Sequence, residues 1–286
     1  MIPAAFGYQR PSSLDEALRI IGSDSGAKVI AGGQSLLPLL KLRLGTASTL
    51  VDIGRLAELK GVRQLSDGRL AVGALTTYRE LMESPARHHG LFRDAVPGIG
   101  DLQVRNRGTV GGAIAHADPA LELPACLLAL DAEVVARSAR GERMIPIDGF
   151  FQGPFATALA PNEILTEIRL PGPRDDAGSA YISLEQTASG YALAGVAVVV
   201  FSGDGGRIAS ANVALTGVAD HAYRARAVES ALAGSDGSAA SIEAAAAHAT
   251  DGVDVASDIH ADSAYRTAMA AVYTRRAIEA ALARLP

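Results

Sequence analysis

Apolar positions in the first half of the chain recur with two periods, one typical of helices and one typical of strands. Leu14, Leu18 and Ile21 are three or four residues apart, which predicts a helix with one apolar face, and Ser12 or Ser13 is placed to cap its start. Short apolar runs bounded by turn residues predict strands, and a Ser-Asp-Gly sequence between two of them predicts a hairpin. The predicted strands are residues 28–31, 49–53, 62–65, 69–72, 133–136 and 164–170.

Further helices are predicted where apolar spacing follows a capping residue or a polar loop. Thr76 or Thr77 begins one that runs to Met82, and residues 91–100 form another. Charged and apolar residues alternate in Lys41-Leu42-Arg43-Leu44, which predicts a strand at the surface or at an interface.

A stretch rich in proline and glycine, residues 171–178, predicts a linker between two parts of different character. The second part begins with three predicted strands and continues with alanine-rich helices. The strands are residues 181–186, 193–201 and 208–215, and the helices are residues 222–233, 239–249 and 263–284. Three antiparallel strands backed by helices make a small α/β layer, so the whole chain is predicted to be an α+β protein.

Composition narrows the class of protein. The chain has 286 residues, of which 49% are hydrophobic, enough for a large core, and its net charge of −5 argues against a nucleic-acid partner. The single cysteine, Cys126, lies in an apolar helical run and is interpreted as a buried structural thiol. An iron–sulfur cluster needs about four ligands, so this chain is not expected to hold one. The longest apolar run, residues 191–201, is too short to span a bilayer, and no signal peptide is recognised, so the chain is predicted to be cytoplasmic.

Two separate pairs of glycines point to a ligand. The first follows a predicted strand in Val29-Ile30-Ala31-Gly32-Gly33-Gln34-Ser35-Leu36, and the second stands in Gly108-Thr109-Val110-Gly111-Gly112-Ala113. Glycines allow a ligand to approach the backbone closely, and successive free N–H groups form an anion site. Two such loops, each with donors, are predicted to hold the two phosphates of one dinucleotide, although a plain turn is the alternative for the first. Neither loop matches the P-loop or the Gly-x-Gly-x-x-Gly pattern, which disfavours a P-loop nucleotidase and an ordinary NAD domain.

Polar residues beyond the second loop raise the question of a metal site. His116, Asp118 and Glu122 lie in a proline-interrupted loop without a familiar metal-ligand spacing, so no metal is predicted. The two carboxylates are expected instead to accept hydrogen bonds from sugar hydroxyls, or to cap a helix starting at Leu123. Other histidines, namely His88, His89 and His248, are predicted to be surface or core-edge residues.

The two glycine segments, with His116-Ala117-Asp118-Pro119 just beyond the second, closely resemble those of the FAD-binding medium subunits of molybdenum hydroxylases, of the carbon monoxide dehydrogenase and xanthine dehydrogenase type. The resemblance extends over essentially the whole chain through residues 103–108, 163–165, 188–192 and 214–219. It implies an FAD-binding domain of the vanillyl-alcohol-oxidase or PCMH type at residues 1–175, in two α/β subdomains of about residues 1–58 and 59–175. A small C-terminal domain of the carbon monoxide dehydrogenase flavoprotein type would follow at residues 176–286.

The resemblance also implies which residues bind FAD, without a covalent link. The pyrophosphate is expected at residues 32–35 and at the Thr109 loop, and Leu36 and Ile99 match positions near the isoalloxazine ring. Glu122 matches a cofactor-binding position that is usually Asp, and Ala113 stands where the family usually has Asn. The full expected set is Val29, Ile30, Ala31, Gly32, Gly33, Gln34, Ser35, Leu36, Ile99, Thr109, Gly111, Gly112, His116, Asp118, Glu122, Leu165 and Tyr191.

The function that the resemblance implies is electron transfer inside a larger complex. A large subunit would oxidise the substrate at molybdopterin, a small subunit would carry two [2Fe–2S] clusters, and the FAD of this chain would pass electrons to a quinone, NAD or oxygen. A dimer of heterotrimers is the implied assembly, in contact with the inner face of the membrane only through the complex. No catalytic residue is expected, because the flavin does the chemistry. Two alternatives are a self-sufficient FAD-dependent oxidoreductase and a flavin-free assembly or scaffold subunit, the latter supported by Ala113 and Glu122.

Overall fold

The computed structural model describes residues 2–286, and its first sheet is small and parallel. The central strand, β3, pairs in parallel with both of its neighbours. Helix α1 begins after Ser13, whose hydroxyl accepts a hydrogen bond from the Glu16 amide, and its apolar face packs against Val51 and Ile53. The elements are β1 (Gly7–Gln9), α1 (Leu14–Ser23), β2 (Lys28–Ile30), α2 (Leu36–Lys41) and β3 (Thr49–Asp52).

The second sheet is antiparallel and has five strands, in the order β4-β5-β10-β6-β7. Its strands are β4 (Val62–Gln64), β5 (Leu70–Gly73), β6 (Glu133–Ser138), β7 (Gly141–Pro146) and β10 (Ile164–Leu170), and a separate hairpin is formed by β8 (Phe151–Gly153) and β9 (Ala156–Thr157). The helices are α3 (Tyr78–Met82), α4 (Gly90–Ala95), α5 (Leu102–Arg107), α6 (Val110–His116) and α7 (Glu122–Ala129). Every residue of α7 is buried, Cys126 among them, which confirms the structural interpretation of that thiol.

The third sheet lies in the C-terminal part and is buried on both faces. Its strands are β11 (Ala177–Glu185), β12 (Ala192–Ser202), β13 (Ile208–Thr216) and β14 (Tyr223–Arg224), so a short fourth strand extends the predicted three. One face packs against the core that contains α7, and the other packs against α8 (Arg226–Leu232), α9 (Ala239–Ala246) and α10 (Ser263–Leu282). This arrangement brings the C-terminal sheet directly behind α7.

Several local predictions were wrong, each for a physical reason. Residues 41–44 form no strand, because α2 ends in a tight turn in which Arg43 has a φ of 59°. The predicted helix at 91–100 ends as an α-helix at Ala95, since a 3₁₀ turn containing Pro97 follows. Strand β7 was missed because it is an exposed edge strand without apolar alternation. His89 is not a surface residue: it is buried beside Phe92, and burial lowers the pKa of its imidazole to about 4.

Candidate functional site

A cavity of about 280 Å³ lies where the first two sheets meet. It is bounded by the β2–α2 connection, by α3, by the start of α6 and by β10. Thirteen of the residues expected to bind a ligand line it, namely Val29, Ile30, Ala31, Gly32, Gly33, Gln34, Ser35, Leu36, Thr109, Gly111, Gly112, His116 and Leu165. Ile99, Asp118, Glu122 and Tyr191 are not among its lining residues.

The first glycine segment, residues 32–35, forms a turn that we call the Gly32 turn. Within residues 2–286, no protein acceptor receives a hydrogen bond from the backbone N–H groups of residues 32–36, and the first bonded amide after them is that of Leu37. Gly33 has a φ of 75°, which lets the backbone reverse direction here. Five successive free amides beside a cavity form a concave site for an anion.

Gly32 also lies in close contact with the chain that leads to the second glycine pair. A Cβ atom at this position would lie 2.1 Å from the carbonyl oxygen of Arg107. No other residue type fits without moving one of the two segments. The Gly32 turn and the start of α6 are therefore held together by a backbone contact.

The second glycine segment, residues 109–112, does not form a loop. It is the N-terminal cap and first turn of α6, and we call it the α6 start. Three of its four amides are already bonded to the protein: Val110 donates to the Thr76 carbonyl at 2.9 Å, Gly111 to the Ala74 carbonyl at 2.9 Å, and Gly112 to the Thr109 hydroxyl at 3.1 Å. Within residues 2–286 the Thr109 amide has no protein acceptor, and the Thr109 hydroxyl hydrogen is also free to donate. The second segment therefore offers fewer free backbone donors than the Gly32 turn.

The polar residues after the α6 start interact with other residues of their own loop. Asp118 accepts a hydrogen bond from the Ala120 amide at 2.9 Å, and its other carboxylate oxygen lies 4.0 Å from His116 Nε2. Burial lowers the pKa of His116, and the charge of Asp118 opposes that shift. Neither carboxylate caps a helix starting at Leu123, because α7 begins at Glu122 and its N-cap residue is Leu121.

Glu122 is a buried carboxyl group without an ion-pair partner among the described residues. Its exposed fraction is 6%, and burial raises the pKa of the carboxyl to about 7, with smaller contributions from the charges of Glu185 and Asp118. The other titratable groups that face it are Tyr78, Tyr181, Tyr191 and Cys126. Since an uncompensated buried charge is costly, Glu122 is neutral over much of the acid range.

Twelve of the lining residues lie outside the set expected from the sequence, Lys28 and Tyr78 among them. Lys28 begins β2, and Tyr78 begins α3 behind the capping box of Thr77 and Glu80. The capping box is visible in the sequence, but the side on which Tyr78 projects depends on the packing of α3. Ile99, which lies outside the cavity, is buried, and its carbonyl accepts a hydrogen bond from Arg105 at 2.9 Å.

Metal binding and membrane spanning find no support in the described part of the chain. Residues 2–286 contain no group of three or more His, Cys, Asp or Glu side chains placed to hold a metal ion. No helix in that range is long and apolar enough to cross a membrane.

The fold and the cavity agree with sequence comparisons. Residues 4–173 match the FAD binding domain in molybdopterin dehydrogenase, and residues 179–281 match the CO dehydrogenase flavoprotein C-terminal domain. The chain therefore belongs to the family of FAD-binding medium subunits of molybdenum hydroxylase complexes, and it is an FAD-dependent oxidoreductase subunit.

Individual relatives cover the chain from end to end. The carbon monoxide dehydrogenase medium chain of Hydrogenophaga pseudoflava is 40% identical over 99% of each chain. The 6-hydroxypseudooxynicotine dehydrogenase complex subunit alpha of Paenarthrobacter nicotinovorans is 38% identical over 99% of this chain and 97% of its own. Among solved structures, a carbon monoxide dehydrogenase from Hydrogenophaga pseudoflava superposes with a TM-score of 0.96 at 41% identity, covering 100% of both chains. These similarities confirm the α+β fold with its PCMH-type FAD domain and C-terminal domain.

Proposed function

We propose that this chain relays electrons through FAD between an iron–sulfur subunit and a terminal acceptor, within a complex whose large subunit carries molybdopterin. The observation that carries the proposal is the Gly32 turn, whose free amides suit the diphosphate of FAD. Among the described residues lining the cavity, Lys28 alone carries a full positive charge, which favours the same anion. When bound, FAD would supply a redox centre able to accept electrons singly and to release them in pairs.

The remaining cavity residues fit the other parts of FAD. Leu36, Ile53 and Leu165 are apolar residues of the lining that suit a flat ring system, and the Thr109 hydroxyl is a hydrogen-bond donor in the same lining. The expected contacts of Ile99, Asp118, Glu122 and Tyr191 stay proposals, because these residues lie beyond the cavity lining. Leu121 lines the cavity, Asp118 precedes it in the chain and Glu122 directly follows it. Both carboxylates are therefore close enough in sequence to reach a ligand larger than the cavity.

The proposal extends to partners and domain limits. Relatives named as a medium chain and as a complex subunit support the presence of partner subunits. We propose that these are a small iron–sulfur subunit and a large molybdopterin subunit, in a dimer of heterotrimers in the cytoplasm. We divide the chain at residues 58/59 and 175/176, since each of the three parts then keeps one main sheet. The acceptor is a quinone, NAD or oxygen.

The visible absorption spectrum of the purified chain tests FAD binding. We expect a flavin spectrum and about one FAD per chain, released into the supernatant when the protein is precipitated with acid. A chain that stays colourless with added FAD, both alone and in the assembled complex, would contradict the assignment.

Electron transfer is tested on the assembled complex after FAD has been removed and then restored. Without FAD, we expect substrate to reduce the iron–sulfur clusters while reduction of the acceptor stops, and added FAD should restore it. Acceptor reduction at the original rate in the FAD-free complex would refute the relay.

A further inference from the structure

The loop between α6 and α7, residues 117–121, contributes Leu121 to the lining of the cavity but is held from outside it. It begins at Ala117, whose φ of 52° ends α6, and it brings Leu121 to the cavity. Within the loop, the Asp118 carbonyl accepts a hydrogen bond from the Leu121 amide at 3.2 Å. The carbonyls of Pro119 and Leu121 face the C-terminal domain instead.

Thr216, at the end of β13, binds both of these carbonyls. Its hydroxyl oxygen lies 2.7 Å from the Pro119 oxygen and 2.8 Å from the Leu121 oxygen, and the side chain is fully buried. The next amide, that of Gly217, also donates to Pro119, at 2.8 Å. Because a hydroxyl has one hydrogen, the two carbonyls share it, and the Gly217 amide secures Pro119 when the hydroxyl turns to Leu121.

The bend that presents Thr216 is itself fixed from α10. Gly217 has a φ of 76°, and a Cβ atom there would lie 2.3 Å from the Ala192 carbonyl oxygen. Arg266, which is 4% exposed, donates to the carbonyls of Gly217 and Leu193 and pairs with Asp258 at 2.6 Å. A buried guanidinium that binds two carbonyls and a carboxylate makes a rigid support.

We propose that Thr216 is a positioning residue, through which the C-terminal domain sets the position of residues 117–122 and thereby the affinity of the cavity for FAD. The inference rests on the proposed function, since it takes FAD to be the occupant. It gives the C-terminal domain a part in cofactor binding although none of its side chains lines the cavity.

The test compares the dissociation constant of FAD for Thr216→Val, Thr216→Ser and Thr274→Val, measured by flavin fluorescence on the apo-chain. Valine keeps the shape of threonine but leaves the Leu121 carbonyl without a donor, so we expect binding to weaken about tenfold or more. Serine keeps the hydroxyl and should stay within about twofold of the wild type. Thr274 is the matched control, because it is also fully buried in the C-terminal domain but its hydroxyl has no partner among the described residues.

A second measurement needs no FAD. Backbone hydrogen exchange at residues 118–121 of the apo-chain should be faster in Thr216→Val than in the wild type and unchanged in Thr274→Val. If Thr216→Val does not fold, Thr216→Cys takes its place, since a thiol is a weak donor and should give an intermediate loss.

The outcomes separate the two claims. Stoichiometric FAD in the wild type and in Thr274→Val supports the proposed function, whatever the Thr216 variants do. Wild-type affinity and wild-type exchange in Thr216→Val, or in Thr216→Cys if that variant is used, would overturn the positioning role alone.

Discussion

The Gly32 turn and the α6 start look alike in the sequence, yet they do different work in the structure. The Gly32 turn and the first residue of α2 leave five successive amides without protein acceptors, whereas the first three amides of α6 are bonded to the protein. The glycines differ accordingly: Gly32 admits a carbonyl of the neighbouring segment, and Gly111 packs against Ala74. Paired glycines therefore indicate that another group approaches the backbone closely. Whether that group is a ligand or another part of the protein depends on whether the backbone amides have protein acceptors.

The largest effects should come from a methyl group added at Gly32 or Gly111. Gly32→Ala forces the turn away from the Arg107 carbonyl, so we expect FAD affinity to fall at least about a hundredfold with a smaller loss of stability. Gly111→Ala places a Cβ atom 2.5 Å from that of Ala74 in a buried contact, and should cost about 3 kcal/mol of unfolding free energy in urea.

Gly45→Ala is the control for both, since nothing lies within 4 Å of a Cβ atom there. If Gly32→Ala and Gly111→Ala lost equal stability and Gly32→Ala still bound FAD, the two glycine pairs would have the same structural role. Measured FAD affinity and urea midpoint together decide the question.

A second difference is that only the α6 start is followed in the chain by a nearby buried titratable group, Glu122. The pKa of Glu122 is about 7 in the folded chain and near 4.5 when unfolded, so the folded state binds more protons between these values. The stability supplied by this group is present at low pH and is lost as pH rises, by about 2 to 3 kcal/mol between pH 5 and 8. Glu122→Gln should remove that loss and melt higher than the wild type at pH 8.

The control for the pH profile is Glu243→Gln, on the exposed side of α9, which should leave the slope of stability against pH unchanged. Thermal unfolding of the apo-chain across this pH range gives the comparison. A parallel pH profile in the wild type and in Glu122→Gln would mean that Glu122 is already ionised in the folded chain.

Local patterns in the sequence predicted most strands and helices, because apolar period and caps are properties of neighbouring residues. Helix α1 with its Ser13 cap, the hairpin of β4 and β5, and strand β10 all lie where the pattern placed them. The use of the α6 amides was beyond such reasoning, since their acceptors at Ala74 and Thr76 come from a distant segment. The burial of His89 and the contact between Thr216 and Pro119 depend in the same way on packing between elements.

The smallest expected effects distinguish the two hydroxyl residues that precede the two helices. Thr109 caps α6 by accepting from the Gly112 amide, whereas Ser35 precedes α2 without any side-chain capping bond. Thr109→Val should therefore cost about 1 kcal/mol of unfolding free energy, and Ser35→Ala less than about 0.5 kcal/mol. Thr109→Ser, which retains the cap, should behave as the wild type in urea unfolding. If Ser35→Ala proved as costly as Thr109→Val in the apo-chain, the Gly32 turn would have to contribute to stability as the α6 start does. The Ser35 hydroxyl is expected to contribute to stability only when FAD is bound, because in the protein alone it makes no capping hydrogen bond.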